Sequence, residues 1–333
     1  MSFLVSELQI PSRKTPERWD AGHFQGISRN CRFVGSKRPI ASDTNGGTHH
    51  MGQSLMVSKF RLDTRETPDE ERLGLWALGQ ARQRFAPTFE SWDSIPRPAP
   101  SSSLAAVDAL LPYEPFSYQL RGLISTSLDN VRSAFLYIEK TGEIPMLALY
   151  SMIRAAVEAS SYGIWMLSAG QKNKQAFLSL RLTYANNESL DGLAKVFTSS
   201  GDPAPDLSRV RKRLLELQQA INNYRSHDIT QTPTTTNVVM EADRSLAQKR
   251  TLLTGLQVWK SCSGIAHGNS AITRTVLEHA PTGEEDDLGI TMMLTSRVTV
   301  LAVFLLVAVE NLEQLLSLYA TSAAPANAGL RRP

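Results

Sequence analysis

The sequence predicts a mainly all-α protein, a multi-helix bundle carrying one short β-hairpin before its last helix. Three observations predict it. From about Pro115 onward, apolar residues recur at helical spacing in long segments. These segments stop at single glycines, Gly142, Gly170, Gly201 and Gly268, where a helix ends in a left-handed cap. β-formers cluster late in the chain, at Ile272, Thr275 and Val276, ahead of an acidic turn. Five or more long helices with short or moderate connections bury their apolar stripes against one another as a bundle.

Taken in order, residues 1–65 mix Ser, Arg, Gly, His and Pro without a sustained period, and are expected to form a disordered basic tail. Met51 and Met56 are alternative starts within it. Residues 66–112 are expected to hold an N-terminal helix and a connector. Thr67-Pro68-Asp69-Glu70-Glu71 combines a capping hydroxyl, Pro at the first helical position and acids in the first turn. That helix is expected to run to Phe85, before Pro87, and the Pro/Ser-rich stretch 96–103 to connect.

Residues 113–321 form the expected bundle domain, with helices over about 115–140, 145–168, 172–199, 206–225 and 243–267. The fourth carries the stripe Val210, Leu214, Leu217, Ile221. The loop at 228–239, with Thr232-Pro233-Thr234-Thr235-Thr236, is not helical throughout. Residues 271–279 and 288–294 are expected to pair as a hairpin through Gly283-Glu284-Glu285-Asp286-Asp287, before a last helix over 296–320 and a disordered tail at 322–333. The most apolar run, Val298 to Val309, closes at Glu310 and is too short to span a bilayer. No membrane association is therefore expected.

The net charge of +3 would suggest an acidic partner, but its position corrects the impression. Residues 1–65 hold ten Lys/Arg against five Asp/Glu, which leaves the remainder slightly acidic. The two cysteines, Cys31 and Cys262, lie in unlike contexts and do not suggest a disulfide. With no charged-then-apolar leader at the N-terminus, a cytoplasmic location is expected.

No HExxH, paired CxxC, Walker loop, GxGxxG or GxSxG occurs, so neither a metal nor a cofactor is expected. His49-His50 and the acids at 284–287 are read as solvated loops. The basic cluster Arg209, Arg211, Lys212, Arg213 spreads around its helix and flanks an apolar face rather than tracking a phosphate backbone. Two places carry candidate chemistry. In the second bundle helix, apolar nearly all round, Arg154 and Glu158 share a stripe that continues to Ser161 and Trp165. Burying two charges costs several kcal/mol each unless they are paired. They are read as an internal ion pair joining helices or as a pocket. At the end of the fifth helix, Leu256, Lys260, Ser263 and His267 share a stripe, with His267 where the helix dipole favours its protonated form. Arg181 and Tyr184 of the third helix are further candidates to face the same space.

The two segments together, Arg154-Ala155-Ala156-Val157-Glu158 with Trp165 and then Ser263-Gly264-Ile265-Ala266-His267-Gly268, resemble uncharacterised bacterial helical proteins distantly related to the HEPN superfamily. The resemblance covers roughly residues 115–320. It implies a helical bundle, often dimeric, acting either as a metal-independent ribonuclease of a toxin or defence system or as a module that only binds nucleotides or partners. The family's active motif is an Arg followed four to six residues later by a His. Here the window before His267 holds Lys260, Ser261 and Cys262, so Lys260 alone could stand in, without the bidentate fork of Arg.

The expected function is a non-catalytic helical binding or regulatory module for a protein partner or small ligand, possible as a homodimer. The alternative is a HEPN-like ribonuclease acting on RNA. His267 would then move the proton, Lys260 or Arg154 would stabilise phosphorane charge and Glu158 would orient one of them. Trp165, Arg181, Tyr184 and Ser263 would line the pocket.

Overall fold

The computed structural model describes residues 63–197, 207–246, 252–282 and 291–326. The expected tail through residue 62, with Cys31, His49-His50 and the alternative starts, lies outside the described residues. So do the acidic turn at 284–287, the Gly201 cap and the end of the C-terminal tail.

Among the described residues the chain is mainly helical with one two-stranded hairpin, as its periodicities predict. Helix α1 spans Pro68–Glu90 and opens with a reciprocal capping box between Thr67 and Glu70. It runs through Pro87 instead of stopping before it. A proline there removes one amide near a helix end, where few bonds remain to lose. Phe89 holds the last turn by packing near Phe85 and beneath the Arg132 guanidinium, 4.8 Å from its ring centre. The expected connector contains a short helix α2, Ser103–Asp108, capped by Ser102.

Helix α3 spans Phe116–Thr141 and ends at Gly142 in the left-handed conformation. Its stripe Phe116, Leu120, Ile124, Leu128, Val131, Phe135 and Ile138 is buried. Each such side chain contributes about 1.5–3 kcal/mol by leaving water. Helix α4, Ala148–Leu167, packs on α3 and on four later helices, which accounts for its nearly all-round apolar sequence. Helix α5 spans Lys172–Phe197 and α6 spans Ser208–Ala220.

The helix expected over 243–267 is not continuous: α7 (Thr235–Leu246) begins inside the segment read as a loop, and α8 (Gly255–Ala266) starts anew after Thr254. Thr254 caps α8 in a second capping box with Gln257. The Asp243 carboxylate reaches across from α7 to accept the amides of Gly255 and Leu256, at 2.9 and 2.7 Å. Four helix-terminal amides need partners and a carboxylate suits the positive end of the dipole, so the break is stabilised from both sides.

The segment 271–276, read as strand, is instead a short helix α9, Ser270–Val276. Asn269 caps it by accepting the amides of Ala271 and Ile272, and this local bonding overrides the β-preference of the residues it encloses. Strands β1 (Glu278–Pro281) and β2 (Met292–Thr295) then pair antiparallel, with Glu278 opposite Thr295.

Helix α10, Val298–Ala323, is long and apolar enough to cross a bilayer by length and composition alone, because it continues well past Glu310. In the fold its faces are taken up by α1, α3, α4 and α8. Glu310 and Glu313 both pair with Arg84 of α1. Two glycines set the approach of its neighbours. A Cβ on Gly74 would lie 2.6 Å from the Thr299 amide nitrogen, and one on Gly163 would lie 2.5 Å from Leu315 Cδ1. The chain before α1 is anchored at the same end. Thr64 bonds the backbone of His279, and the Glu66 carboxylate accepts the Val298 and Thr299 amides at the start of α10, each at 2.9 Å.

Candidate functional site

Two polar regions merit a site's description, one on α4 and one beside α6. On α4, Arg154 and Glu158 lie one turn apart with Nη2 and Oε2 separated by 3.7 Å, and each side chain is about a third exposed. Trp259 of α8 donates its indole N–H to Glu158 Oε2 at 2.9 Å. The Arg154 guanidinium lies 5.9 Å from the centre of that indole ring. Its Nε is buried without a hydrogen-bond partner. Two turns on, Trp165 is buried and donates its indole N–H to Glu241 of α7 at 2.8 Å. Tyr162 meets Trp165 edge-on and lies 3.3 Å from the Thr235 hydroxyl. Burial raises the Tyr162 phenol above its ordinary value.

Arg181 of α5 approaches this face. Its Nε and Nη2 both donate to the Gln231 carbonyl, at 2.9 and 2.6 Å. Burial lowers its pKa, opposed by the nearby carboxylates Asp228 and Glu241. Cys262 of α8 is fully buried, and its thiol is pushed well up by desolvation, with Arg154 acting in the opposite sense.

The remaining sequence candidates stand elsewhere. His267 is exposed at the C-cap of α8 and Lys260 is exposed on the same helix. Neither side chain forms a hydrogen bond or ion pair with Arg154, Glu158 or any other described residue. Along the helix, His267 is about 12 Å from Trp259, the α8 residue that touches Glu158. Ser263 is half-buried between them. Tyr184 is half-buried on α5, on the side where Arg211 of α6 pairs with Glu188 and Asp191. The fold therefore brings Arg154, Glu158, Trp165 and Arg181 to the seam between α4, α5, α7 and α8. It leaves His267 and Lys260 on the solvent side of α8.

The second region was not singled out in the sequence. A cleft of about 460 Å³ opens between α5, α6 and the turn joining α2 to α3. Its floor is apolar, with Leu111, Leu180 and Leu214 buried and Leu217 packed against the core. One wall carries a directional relay of hydrogen bonds. Ser179 donates to Gln119 Oε1 at 2.8 Å, Gln119 Nε2 donates to Thr183 at 3.2 Å, and Thr183 donates to Glu114 Oε2 at 2.9 Å. Ser179 and Thr183 are both buried, so their donors are spent inside the relay. At the rim stand Arg209 and Arg213. Arg213 stacks over Tyr113 at 4.4 Å and pairs with Glu216, whereas Arg209 is exposed and pairs with no described residue.

The sequence did offer one signal for this cleft. The stripe Val210, Leu214, Leu217, Ile221 runs along α6 to its C-cap as expected, but its first member is left uncovered. Leu214 and Ile221 are buried and Leu217 packs against the core, whereas Val210 is 38% exposed. Among the described residues, no three His, Cys, Asp or Glu side chains gather where they could hold a metal ion. Compared with protein-family models, with curated proteins and with solved structures, the chain finds no match.

Proposed function

We propose that this protein is a non-catalytic helical binding module whose ligand site is the cleft between α5, α6 and the α2–α3 turn. The observation that carries the reading is the cleft itself. An apolar floor, a wall of fixed hydroxyls and a cation without a partner among the described residues converge on one open volume of about 460 Å³. That is a size and composition suited to a small ligand. The residues with catalytic character do not converge in the same way. His267 and Lys260 face solvent on α8, and Glu158 is committed to the Trp259 indole. The test is a thermal-shift panel of small amphiphiles on the wild type and on Val210→Trp, which fills the cleft from its half-open edge. Compounds that stabilise the wild type and not the variant are expected. A panel in which no compound distinguishes the two proteins defeats the reading.

A second reading, a HEPN-like metal-independent ribonuclease, draws support from Arg154. Its side chain is about a third exposed and its only described ionic partner lies 3.7 Å away, so its terminal nitrogens keep donors for an incoming phosphate. Its test is incubation with mixed structured and single-stranded RNA in EDTA, beside His267→Ala. Cleavage by the wild type alone would favour the nuclease, and equal cleavage by both proteins would remove His267 from the chemistry.

A further inference from the structure

We infer that the ligand of the α5–α6 cleft is a small amphipathic anion, a molecule with an apolar body and a terminal carboxylate. The inference rests on the cleft being the binding site and adds the chemical class of what enters it. Its first support is the division of the lining. Leu111, Leu180, Leu214 and Leu217 offer an apolar floor with no donor or acceptor on their side chains, so the inner part of the ligand must be hydrocarbon or aryl. The hydroxyl wall does not change this. Ser179 and Thr183 have given their protons to Gln119 and Glu114, and present only residual acceptor capacity.

Charge at the mouth decides the head group. Among the described residues, two guanidiniums, Arg209 and Arg213, stand against one lining carboxylate, Glu114. That carboxylate already accepts from Thr183. Arg213 is held in place by its stack on Tyr113, and its pairing with Glu216 is solvent-exposed and weak. Arg209 has no described partner at all. A carboxylate arriving at this rim gains charge-assisted, bidentate hydrogen bonds without first breaking a strong one. An ammonium head would meet two cations at the same place.

The test measures binding of decanoate, decanol and decylamine by calorimetry, below their aggregation limits, to the full chain. The wild type is compared with Val210→Trp and with Arg209→Gln/Arg213→Gln, which lies wholly on the exposed rim and leaves the core intact. Decanoate is expected to bind about tenfold more tightly than decanol or decylamine, the factor set by one charge-assisted contact. That advantage should disappear in the double Gln variant and fall with added salt. Binding of decanol within about twofold of decanoate, unchanged by the double Gln substitution, overturns the anion assignment while leaving the cleft as a binding site. Absence of binding by all three probes, or equal binding to Val210→Trp, overturns both.

Discussion

On the α4 face, Glu158 and Glu241 each accept an indole N–H from another helix, whereas in the cleft beside α6 the carboxylate Glu114 ends a hydroxyl relay and Arg209 has no described partner. Both regions draw on carboxylates, arginines and apolar residues. They differ in how the helices around them pack. Helix α4 is enclosed by α3, α7, α8 and α10, and Trp165 and Trp259 fill the seams with α7 and α8. Its carboxylate is therefore paired within the fold, while Arg154 Nε and Ser161 Oγ are buried without a hydrogen-bond partner. Helix α6 has only 13 residues and rests chiefly on α5, so its first turns leave a wedge of space above an apolar floor. The first arrangement joins helices. The second leaves interactions available to something else.

The comparison breaks if the α4 carboxylates prove dispensable for folding. Glu241→Ala removes the acceptor of the N–H of a buried tryptophan and should lower stability in urea by about 1–2 kcal/mol, Glu241 itself being exposed. Glu158→Ala, at a site a third exposed, should cost about 1 kcal/mol. Glu114→Ala, on the exposed end of the cleft relay, should cost less than either. An equal or larger loss at Glu114 would show that the relay, not the tryptophan seam, is the structural element.

Cys262 sharpens the same contrast through pH. Its folded thiol titrates above its ordinary value of 9.0 because burial penalises the thiolate. The unfolded chain therefore ionises first, and above pH 9 unfolding releases a proton that the folded state retains. Stability should be unaffected by this group below that pH and fall by up to about 1.4 kcal/mol per unit above it. Comparing the slope of stability against pH for the wild type and Cys262→Ala isolates the thiol from other groups. Identical slopes would mean that the α4–α8 seam admits water.

The smallest effect is expected on the outer face of α8. His267→Ala and Lys260→Ala should each change stability by less than about 0.5 kcal/mol, as exposed side chains without described partners do. A loss above about 1 kcal/mol at His267 would reveal a structural contact there and weaken any catalytic assignment.

The sequence was most informative where the cause is local. The cap at Thr67, the left-handed Gly142, Gly170 and Gly268, and the stripes of α3 and α10 follow from backbone hydrogen-bond needs within a few residues. The break before α8 was missed because the apolar period runs across it, although Thr254 and Gln257 spell a capping box that could have marked it. The Asp243 cap that reinforces the break was not legible, since it depends on how α7 turns back toward α8. For the candidate site, the spacing of Arg154, Glu158 and Trp165 placed them on one face of α4. No spacing could supply Trp259 and Glu241 as their partners, 101 and 76 residues away along the chain.

The sequence by itself thus determined the long helices α1, α3, α4, α5, α6 and α10 and their order, because helix periodicity and capping act over one or two turns. The short helices α2 and α9 and the division between α7 and α8 did not emerge from it. Only the tertiary structure decided which polar groups were consumed and which were left over. Glu114, Ser179 and Arg209 become neighbours of one cleft through the packing of three separate elements. Pairing of charges and donors is set by distance in space, and periodicity along the chain carries no information about it.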